Sequence, residues 1–298
     1  MARPNGTSGA TDAGDGHRLS AIIIAQDEAD RIGRAIASLA FADEVIVVDG
    51  GSRDATVAVA ERAGARVVRH PWSGYGAQVR FAVAQTSGDW ILRLDADEVV
   101  PPELQAEIRA VLAQPERREV GYQVGFVAIM YGRPLRYCVR QSARNVRLWR
   151  RDSATISDRA VHERVFFHDP AAVVGRLHAR FLHYSWRDLP HMIGKSVRYG
   201  QLNAAEIIKA GRRRRWPALT MVTAFPIKFA GIFFLRRGFL DGPRGFIAAM
   251  VRSFEVFVRE ASLWLHQSGL AEQSPSQRPD TATGPPSQSE QEQTGPVA

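Results

Sequence analysis

The stretch Trp90-Ile-Leu-Arg-Leu-Asp-Ala-Asp-Glu98 decides the fold prediction. Its first five residues form a nearly continuous apolar run, which is typical of a strand buried on both faces of a parallel sheet. Two carboxylates, Asp95 and Asp97, follow where the run ends. In open sheets of this kind, ligands bind beyond the carboxyl ends of the strands. The stretch therefore predicts a central strand with a binding site at its tip.

Strand and helix patterns alternate through the chain before this stretch. Three more strands are predicted at Leu19–Ala25, Glu44–Val48 and Arg66–His70, with helices at Glu28–Leu39, Asp54–Ala63 and Gly76–Gln85. Consecutive strands joined through helices require right-handed crossovers and a largely parallel sheet. The sequence thus predicts an α/β fold with a mostly parallel central sheet flanked by helices.

Composition limits the class of protein. The chain has 298 residues, of which 45% are apolar, and this excludes a wholly disordered, collagen-like or disulfide-stapled protein. The single cysteine, Cys138, forms no internal disulfide, which favours a reducing compartment and a packing role for that side chain.

Four segments are predicted along the chain. Residues 1–17 lack an apolar core, so we expect a disordered lead rather than a signal peptide, and residues 271–298 are expected to be a disordered tail. Residues 18–187 are predicted to form the α/β domain. Residues 188–270 are predicted to form a basic, amphipathic helical region.

A second acidic strand end occurs in Val48-Asp49-Gly-Gly-Ser-Arg-Asp54. The glycines permit a tight turn, and the Asp49 carboxylate can accept hydrogen bonds from a base or a ribose. Taken alone, the pattern is more typical of a capped strand-to-helix turn in which Asp49 binds backbone amides.

The pair Asp95 and Asp97 predicts a metal site. Two carboxylates can converge on one hard divalent cation, since oxygen ligands suit Mg²⁺ or Mn²⁺ and a diphosphate supplies further ligands. An isolated Asp-x-Asp is commonly a solvated turn. Its position at the end of a buried strand favours the metal site.

The loop Pro71-Trp-Ser-Gly-Tyr-Gly-Ala-Gln-Val-Arg80 leads into a predicted helix. Helix N-termini suit phosphates, and Arg80 lies about one turn into the helix. A helix entry in which Tyr75 packs against the core explains the segment equally well.

Four segments together resemble family 2 glycosyltransferases with the GT-A fold, in order and in spacing: Ile22–Glu28, Val47–Asp54, Gly74–Gln78 and Gly88–Glu98. The resemblance covers about residues 19–265 and is nearest to the branch that contains lipopolysaccharide core heptose glucosyltransferases.

The resemblance implies roles for single residues. Asp49 would hold the uracil or ribose of a nucleotide sugar, Asp95 would lie near the ribose, and Asp97 would bind the diphosphate-bound metal, Mg²⁺ or Mn²⁺. The full donor-site set that it implies is Ala25, Asp27, Glu28, Asp49, Gln78, Arg80, Asp95 and Ala96. The family usually has Asn where this chain has Asp27.

An inverting transfer needs a general base that deprotonates the acceptor hydroxyl. Val161-His-Glu163 resembles the segment that carries this function in the same branch, which favours Glu163 as the base and leaves Asp158 in reserve. His162 is a further alternative. An ion pair between Glu163 and a neighbouring arginine, with no catalytic role, also remains open.

The C-terminal part is basic and aromatic. Lys195 to Arg259 contains thirteen Lys/Arg against three acids, so its net charge of +10 exceeds the +8 of the whole chain. The apolar stretch from Trp216 to Leu235 has about the length of a membrane span, but Pro217, Pro226 and Lys228 interrupt it. We expect helices that lie on an anionic membrane surface. A helical cap on the catalytic domain is the alternative, and no nucleic acid is expected.

These observations, together with the family resemblance, predict an enzyme that is peripheral to the cytoplasmic face of the inner or plasma membrane, and the resemblance implies that the enzyme inverts the anomeric configuration. It would move a hexose from a nucleotide diphosphate sugar, UDP-linked, to a lipopolysaccharide core or other lipid-linked saccharide. Two alternatives share this chemistry: a polyprenyl-phosphate and an exopolysaccharide glycosyltransferase. A third, of another class, is a noncatalytic protein that binds nucleotide sugars or membrane surfaces.

Overall fold

The computed structural model describes residues 17–114, 116–139, 145–157 and 165–270. The disordered lead and tail predicted at the two ends fall, except for His17, outside these residues. The boundary predicted at residue 188 stays a prediction.

The four predicted strands form one half of a central sheet. They are β1 (Leu19–Ala25), β2 (Glu44–Asp49), β3 (Arg66–Arg69) and β4 (Trp90–Asp95), and they run parallel in the order β3-β2-β1-β4. β1 is central because its apolar residues cover both faces: Ile22 and Ile23 are both buried but belong to different core clusters.

Beyond β4 the sheet becomes mixed. The order continues β8-β6-β11-β5, where β8 pairs antiparallel with both β4 and β6, and β11 runs parallel to β6. The added strands are β5 (Glu98–Val99), β6 (Glu119–Met130), β8 (Asn145–Arg150) and β11 (Val173–His183), and a short β7 (Arg133–Pro134) pairs with β6. A separate hairpin consists of β9 (Ala154–Ile156) and β10 (Val165–Phe167).

Helices cover both faces of the sheet. The crossover helices are α1 (Ile32–Ala37), α2 (Thr56–Arg62) and α3 (Tyr75–Ala84), and α4 (Pro102–Leu112) follows β5. α1, α2 and α4 pack on one face, whereas α3 and the β9–β10 hairpin pack on the other. α1 begins four residues later than predicted, because Asp27 adopts a left-handed backbone conformation (φ 57°) and the chain turns before the helix.

The C-terminal region is helical, as predicted. It contains α5 (Leu189–Lys209), α6 (Pro217–Ala230) and α7 (Gly242–Gln267). α6 continues through a one-turn π-helical segment, Gly231–Leu235. The expectation that prolines and Lys228 interrupt this stretch is wrong. Pro217 sits in the first turn, where it replaces an unpaired N–H, and Pro226 lies inside a helix that continues past it.

Pro217–Leu235 is therefore a single apolar helix of 19 residues. Its length and composition are sufficient to cross a membrane, and only 6% of its most apolar window is buried. No residue of α6 itself is buried. Exposure of this kind distinguishes it from the core helix of a soluble domain.

Asp241 attaches the helical region to the sheet. Its carboxylate accepts hydrogen bonds from the backbone N–H groups of Arg136, Tyr137 and Cys138, at 2.8 to 3.0 Å. The Cys138 thiol is fully buried and donates to the carbonyl of Gly245 at 3.2 Å, and burial raises its pKa to about 12. Cys138 thus has the packing role that the sequence predicts.

Candidate active site

The acidic strand ends lie at one edge of the sheet. β1 separates β2 from β4, and Asp49 pairs with Ala25 while Asp95 pairs with Ile24. Two strand spacings separate the two aspartates, about 10 Å. The predicted residues Ala25 and Ala96 are buried at the same edge. This edge is the carboxyl end of four parallel strands, where the sequence places the binding site.

Asp49 shapes the turn after β2. It is only 2% exposed, and its carboxylate accepts hydrogen bonds from the backbone N–H groups of Gly51 and Ser52, all at 3.2 Å. Gly51 has φ 102°, a conformation that favours glycine. Asp49 therefore binds backbone amides, as expected for a capped turn. These hydrogen bonds hold its carboxylate at the sheet edge.

Asp27 ties the loop after β1 to the loop after β2. The Asp27 N–H donates to the Ser52 hydroxyl at 2.9 Å. Asp27 Oδ1 in turn accepts a hydrogen bond from the N–H of Arg53 at 2.7 Å. Asn and Asp are the side chains that best tolerate a positive φ. Asp27 can therefore adopt the same left-handed backbone conformation as the Asn that the family usually has at this position.

Asp95 is held by two buried arginines. Its two oxygens lie 3.3 Å from Arg93 Nη2 and 3.3 Å from Arg147 Nη2. Burial acts to raise the pKa of Asp95, but the two guanidinium groups outweigh it and lower the pKa to about 2. Asp95 is consequently ionised and fixed at neutral pH.

Glu98 completes this buried cluster. Its carboxylate accepts the N–H of Asp95 at 3.0 Å and lies 3.2 Å from Arg147 Nη2. Burial raises the pKa of Glu98 to about 7, with Arg147 opposing the rise. Sequence reasoning missed Arg147, since a single arginine in a strand carries no local signal of its partner.

Asp97 faces a different set of groups. It is 2% exposed; its Oδ2 lies 3.1 Å from His183 Nε2 and 3.6 Å from Arg31 Nη1. Burial acts to raise its pKa, but the charges of His183, Arg31 and Lys195 outweigh it and hold the pKa well below its ordinary value. The other oxygen, Oδ1, is buried and has no hydrogen-bond partner among the residues described.

The buried Oδ1 of Asp97 fits a divalent cation. A buried carboxylate oxygen costs free energy unless it is bound, and a hard cation is a suitable partner. In the described part of the chain, no group of three or more His, Cys, Asp or Glu side chains could hold a metal by itself. Asp97 would therefore share a cation with oxygen ligands from a substrate, with His183 as the adjacent nitrogen donor.

Glu28 and Arg187 connect the site to the loop before α5. Arg31 contacts the Glu28 carboxylate at 2.5 and 2.7 Å, and Arg187 Nη2 lies 3.2 Å from it. Arg187 also binds both oxygens of Asp30 at 2.8 Å. Burial raises the pKa of Glu28 to about 7, although Arg31 acts to lower it. Glu28 thus lies beside Asp97, at the centre of an ion-pair network.

Gln78 and Arg80 bind protein groups at the start of α3. The fully buried Gln78 amide donates to the carbonyl of His70 at 3.0 Å. Arg80 Nη1 donates to the carbonyls of Ile156 and Ser157 at 3.0 and 3.2 Å. Their predicted roles in donor binding stay predictions; the described contacts fix the loop before α3 and the β9–β10 hairpin.

Both candidate bases, Asp158 and Glu163, lie outside the described residues. The residues on either side of them are described. Ile156 pairs with Val165 across the β9–β10 hairpin, and Ser157 lies at the first turn of α3, where a Cβ on Gly76 would stand 2.2 Å from its carbonyl oxygen. Ile156 and Ser157 therefore lie beside the start of α3.

A family model identifies the family of the chain. The model described as glycosyl transferase family 2 matches residues 20–174, more than half of the chain, and includes all of these strand ends. The chain belongs to glycosyl transferase family 2. The resemblance stated from its motifs is thereby confirmed, and its mixed sheet with flanking helices is GT-A-like.

Relatives match this family 2 chain over most of its length. An uncharacterized glycosyltransferase of Rickettsia bellii is 36% identical, covering 83% of this chain and 86% of that protein. The lipopolysaccharide core biosynthesis glycosyltransferase LpsC of Rhizobium meliloti is 30% identical, covering 83% of this chain and 92% of that protein.

Solved structures resemble this family 2 chain more distantly. Glucosyl-3-phosphoglycerate synthase from Mycobacterium tuberculosis, in complex with Mn²⁺, uridine diphosphate and phosphoglyceric acid, is 18% identical with a TM-score of 0.42, covering 67% of this chain and 81% of that one. S. aureus TarS is 14% identical with a TM-score of 0.41, covering 85% and 92%. Both scores are too low to carry a conclusion about this chain.

Proposed function

We propose that this family 2 glycosyltransferase transfers a hexose, with inversion, from a uridine diphosphate sugar to a hydroxyl of a lipopolysaccharide core or other lipid-linked saccharide. The observation that carries the proposal is the shared edge of β2, β1 and β4, which brings Asp49, Asp95 and Asp97 together in a chain of this family. The relative whose name refers to lipopolysaccharide core biosynthesis supports the acceptor class.

The transfer makes one bond and breaks one. The acceptor oxygen bonds to the anomeric carbon as the bond from that carbon to the diphosphate oxygen breaks, and the electron pair stays on the diphosphate. The acceptor proton passes to a base, for which we propose Glu163 with Asp158 in reserve. Ionised Asp95, which Arg93 and Arg147 hold in place, would lie beside the ribose of the donor.

Asp97 and His183 are the residues that would hold Mg²⁺ or Mn²⁺. The bound cation would neutralise negative charge that develops on the departing diphosphate. Burial acts to raise the pKa of Asp97, but His183, Arg31 and Lys195 outweigh it and lower the pKa, so the carboxylate would be ionised before a cation binds. The site is thus prepared to receive a cation without a large rearrangement of charge.

Attachment to the membrane would bring the enzyme to its acceptor. Large apolar side chains are exposed along the α6 helix and its extension, at 59% for Leu219, 68% for Ile227 and 85% for Leu235. Exposed arginines lie at both ends, Arg212 and Arg213 before it and Arg236 and Arg237 after it. Apolar residues between arginines suit the boundary between acyl chains and anionic headgroups. We therefore propose a peripheral position on the cytoplasmic face of the inner membrane.

A donor and acceptor screen tests the proposal. Purified enzyme is incubated with nucleotide sugars and extracted lipid-linked glycans, with and without Mg²⁺ or Mn²⁺, and the product is analysed by mass and linkage. We expect metal-dependent transfer to a lipid-linked glycan, and a loss of at least about 100-fold in Asp97→Asn. Asp152→Asn, at a side chain 89% exposed, is the matched control. Binding of UDP without any turnover would support the noncatalytic alternative.

A further inference from the structure

Lys195 is linked to Asp97 through Ser185 and His183, although the sequence assigns it to the basic C-terminal region. Lys195 Nζ donates to the carbonyl of Ser185 at 3.4 Å, and Ser185 Oγ lies 3.0 Å from His183 Nε2. His183 Nε2 also lies 3.1 Å from Asp97 Oδ2. These contacts connect the second turn of α5 to the proposed metal ligand.

The charges of Lys195 and Asp97 act on one another. Burial lowers the pKa of Lys195 to about 7, and the negative charge of Asp97 opposes this effect. Lys195 in turn contributes to the low pKa of Asp97. An enclosed ammonium group costs free energy unless a partner compensates it.

A diphosphate leaving group has the charge that suits this position. The sugar-linked diphosphate carries one negative charge on each phosphate, and cleavage from the sugar adds a further charge on the terminal phosphate. A fixed cation at that oxygen stabilises the transition state more than the ground state, because the charge develops during the step. Asp97, which would share a cation with the same diphosphate, places that oxygen near Lys195.

We propose that Lys195 binds the terminal phosphate of the departing nucleoside diphosphate and stabilises the charge left by bond cleavage. This inference rests on the proposed function. Lys195 would be a catalytic residue supplied by the C-terminal helices, and α5 would be part of the active site as well as of the basic region. The competing explanation is structural: Lys195 would only fix the loop between β11 and α5 through the Ser185 carbonyl.

Nucleoside and nucleoside diphosphate binding separates the two explanations. Calorimetric titration with uridine and with UDP is performed on wild type, Lys195→Met, Lys195→Arg and Lys209→Met, the last an exposed lysine on the same helix. We expect Lys195→Met to weaken UDP binding by about 10-fold or more and to leave uridine binding unchanged. In the transfer assay, kcat should fall by about 100-fold. Lys195→Arg should retain most of the preference for UDP over uridine. Lys209→Met should bind both ligands as wild type does.

Four outcomes would overturn the inference. Equal losses for uridine and UDP in Lys195→Met indicate a structural role, and so does failure of both Lys195→Met and Lys195→Gln to fold. An unchanged preference for UDP over uridine in a folded Lys195→Met protein rejects phosphate binding while leaving the proposed function intact. If wild type binds none of UDP, GDP or dTDP, the proposed function fails and this inference fails with it.

Discussion

At the scale of single residues, Asp95 and Asp97 have different surroundings although they are two positions apart. Asp95 is fixed between Arg93 and Arg147, whereas Asp97 contacts His183 and keeps one buried oxygen without a hydrogen-bond partner in the described part of the chain. The sequence pattern treats the two carboxylates alike. Distant side chains decide that Asp97 is the one suited to a cation.

Glu163 is predicted to act on the acceptor rather than the donor. Glu163→Gln should lower kcat by about 100-fold or more, because the neutral amide cannot take the proton, while the affinity for UDP stays unchanged. Asp158→Asn should stay within a few-fold of wild type. Transfer kinetics and UDP titration on both variants provide the measurement. The reverse pattern of losses would make Asp158 the base.

Glu44 is predicted to stabilise the fold in a pH-dependent manner. Burial acts to raise its pKa, but hydrogen bonds from Ser20 Oγ (2.6 Å) and Ser87 N (2.6 Å) outweigh it and lower the pKa. A lowered pKa in the folded state means that stability is present above the ordinary value of 4.5 and declines as pH falls below it. Glu44→Gln should therefore lose about 0.5–1 kcal/mol of unfolding free energy at pH 7, because solvent screens this partly exposed carboxylate.

Denaturant titrations at several pH values measure this effect. The difference between wild type and Glu44→Gln should shrink as pH falls below about 4, since wild type then loses the charge as well. Glu61→Gln, at an exposed glutamate on α2, should show little change at any pH. A constant difference across the pH range would show that the ionised carboxylate of Glu44 is not responsible.

At the scale of elements, local patterns identify some parts of the fold better than others. Three of the four parallel strands, β1, β2 and β4, are largely buried apolar runs, and the sequence predicts the positions of all four within one residue. The sequence analysis does not predict β6, β8 and β11, the strands of the mixed half of the sheet. In β11, for example, the alternation of buried and exposed residues is incomplete, because the pairing of β11 with β6 is irregular between Arg176 and Arg180. Pairing partners far apart in sequence define such strands.

The crossing of α5 and α7 depends on Gly200. A Cβ at this position would lie 2.7 Å from the carbonyl oxygen of Glu255 and 2.8 Å from the Cβ of Val258. Gly200→Ala should therefore separate the helices and lower the free energy of unfolding by about 1–3 kcal/mol.

Gly194 on the same helix provides the matched control. No atom lies within 4 Å of a Cβ built there, so Gly194→Ala should be neutral or stabilising by up to about 1 kcal/mol. Chemical denaturation of both variants measures the difference. Equal stability of the two variants would show that α5 and α7 do not pack as closely as described.

At the scale of the whole molecule, charge and exposed apolar surface are concentrated in the C-terminal helices. Not every arginine there is available to a membrane. Arg214 binds the buried carboxylate of Glu260 through two hydrogen bonds, at 2.9 and 3.0 Å. Arg259 shares this carboxylate at 2.7 Å. Arg214 is thus a structural residue, whereas its neighbours Arg212, Arg213 and Arg215 are exposed.

Membrane binding should follow the exposed arginines. The triple change of Arg212, Arg213 and Arg215 to Gln should weaken flotation with phosphatidylglycerol vesicles by about 100-fold, at about 1 kcal/mol for each charge. The matched control changes three exposed arginines elsewhere to Gln: Arg62, Arg109 and Arg133. Unchanged flotation of the first variant would contradict the electrostatic part of the proposal.

The mode of attachment is tested separately. A peripheral enzyme should leave membranes in alkaline carbonate, whereas a spanning Pro217–Leu235 helix should resist extraction. Changing Leu219, Val222 and Ile227 to Gln should abolish binding to neutral vesicles, since these side chains are 59 to 68% exposed. Retention in carbonate would replace the peripheral position with a membrane-spanning one.

The sequence by itself determined the parallel half of the sheet, the acidic residues at its carboxyl edge and the basic helical end. Each of these depends on residues close together in the chain, where periodicity and turn chemistry are visible. Only the tertiary structure decided which groups surround Asp97. His183 and Lys195 lie 86 and 98 positions after it in the chain, and only folding brings them near it. No local pattern records such a contact, because its free energy depends on distance in space and on burial rather than on spacing in sequence.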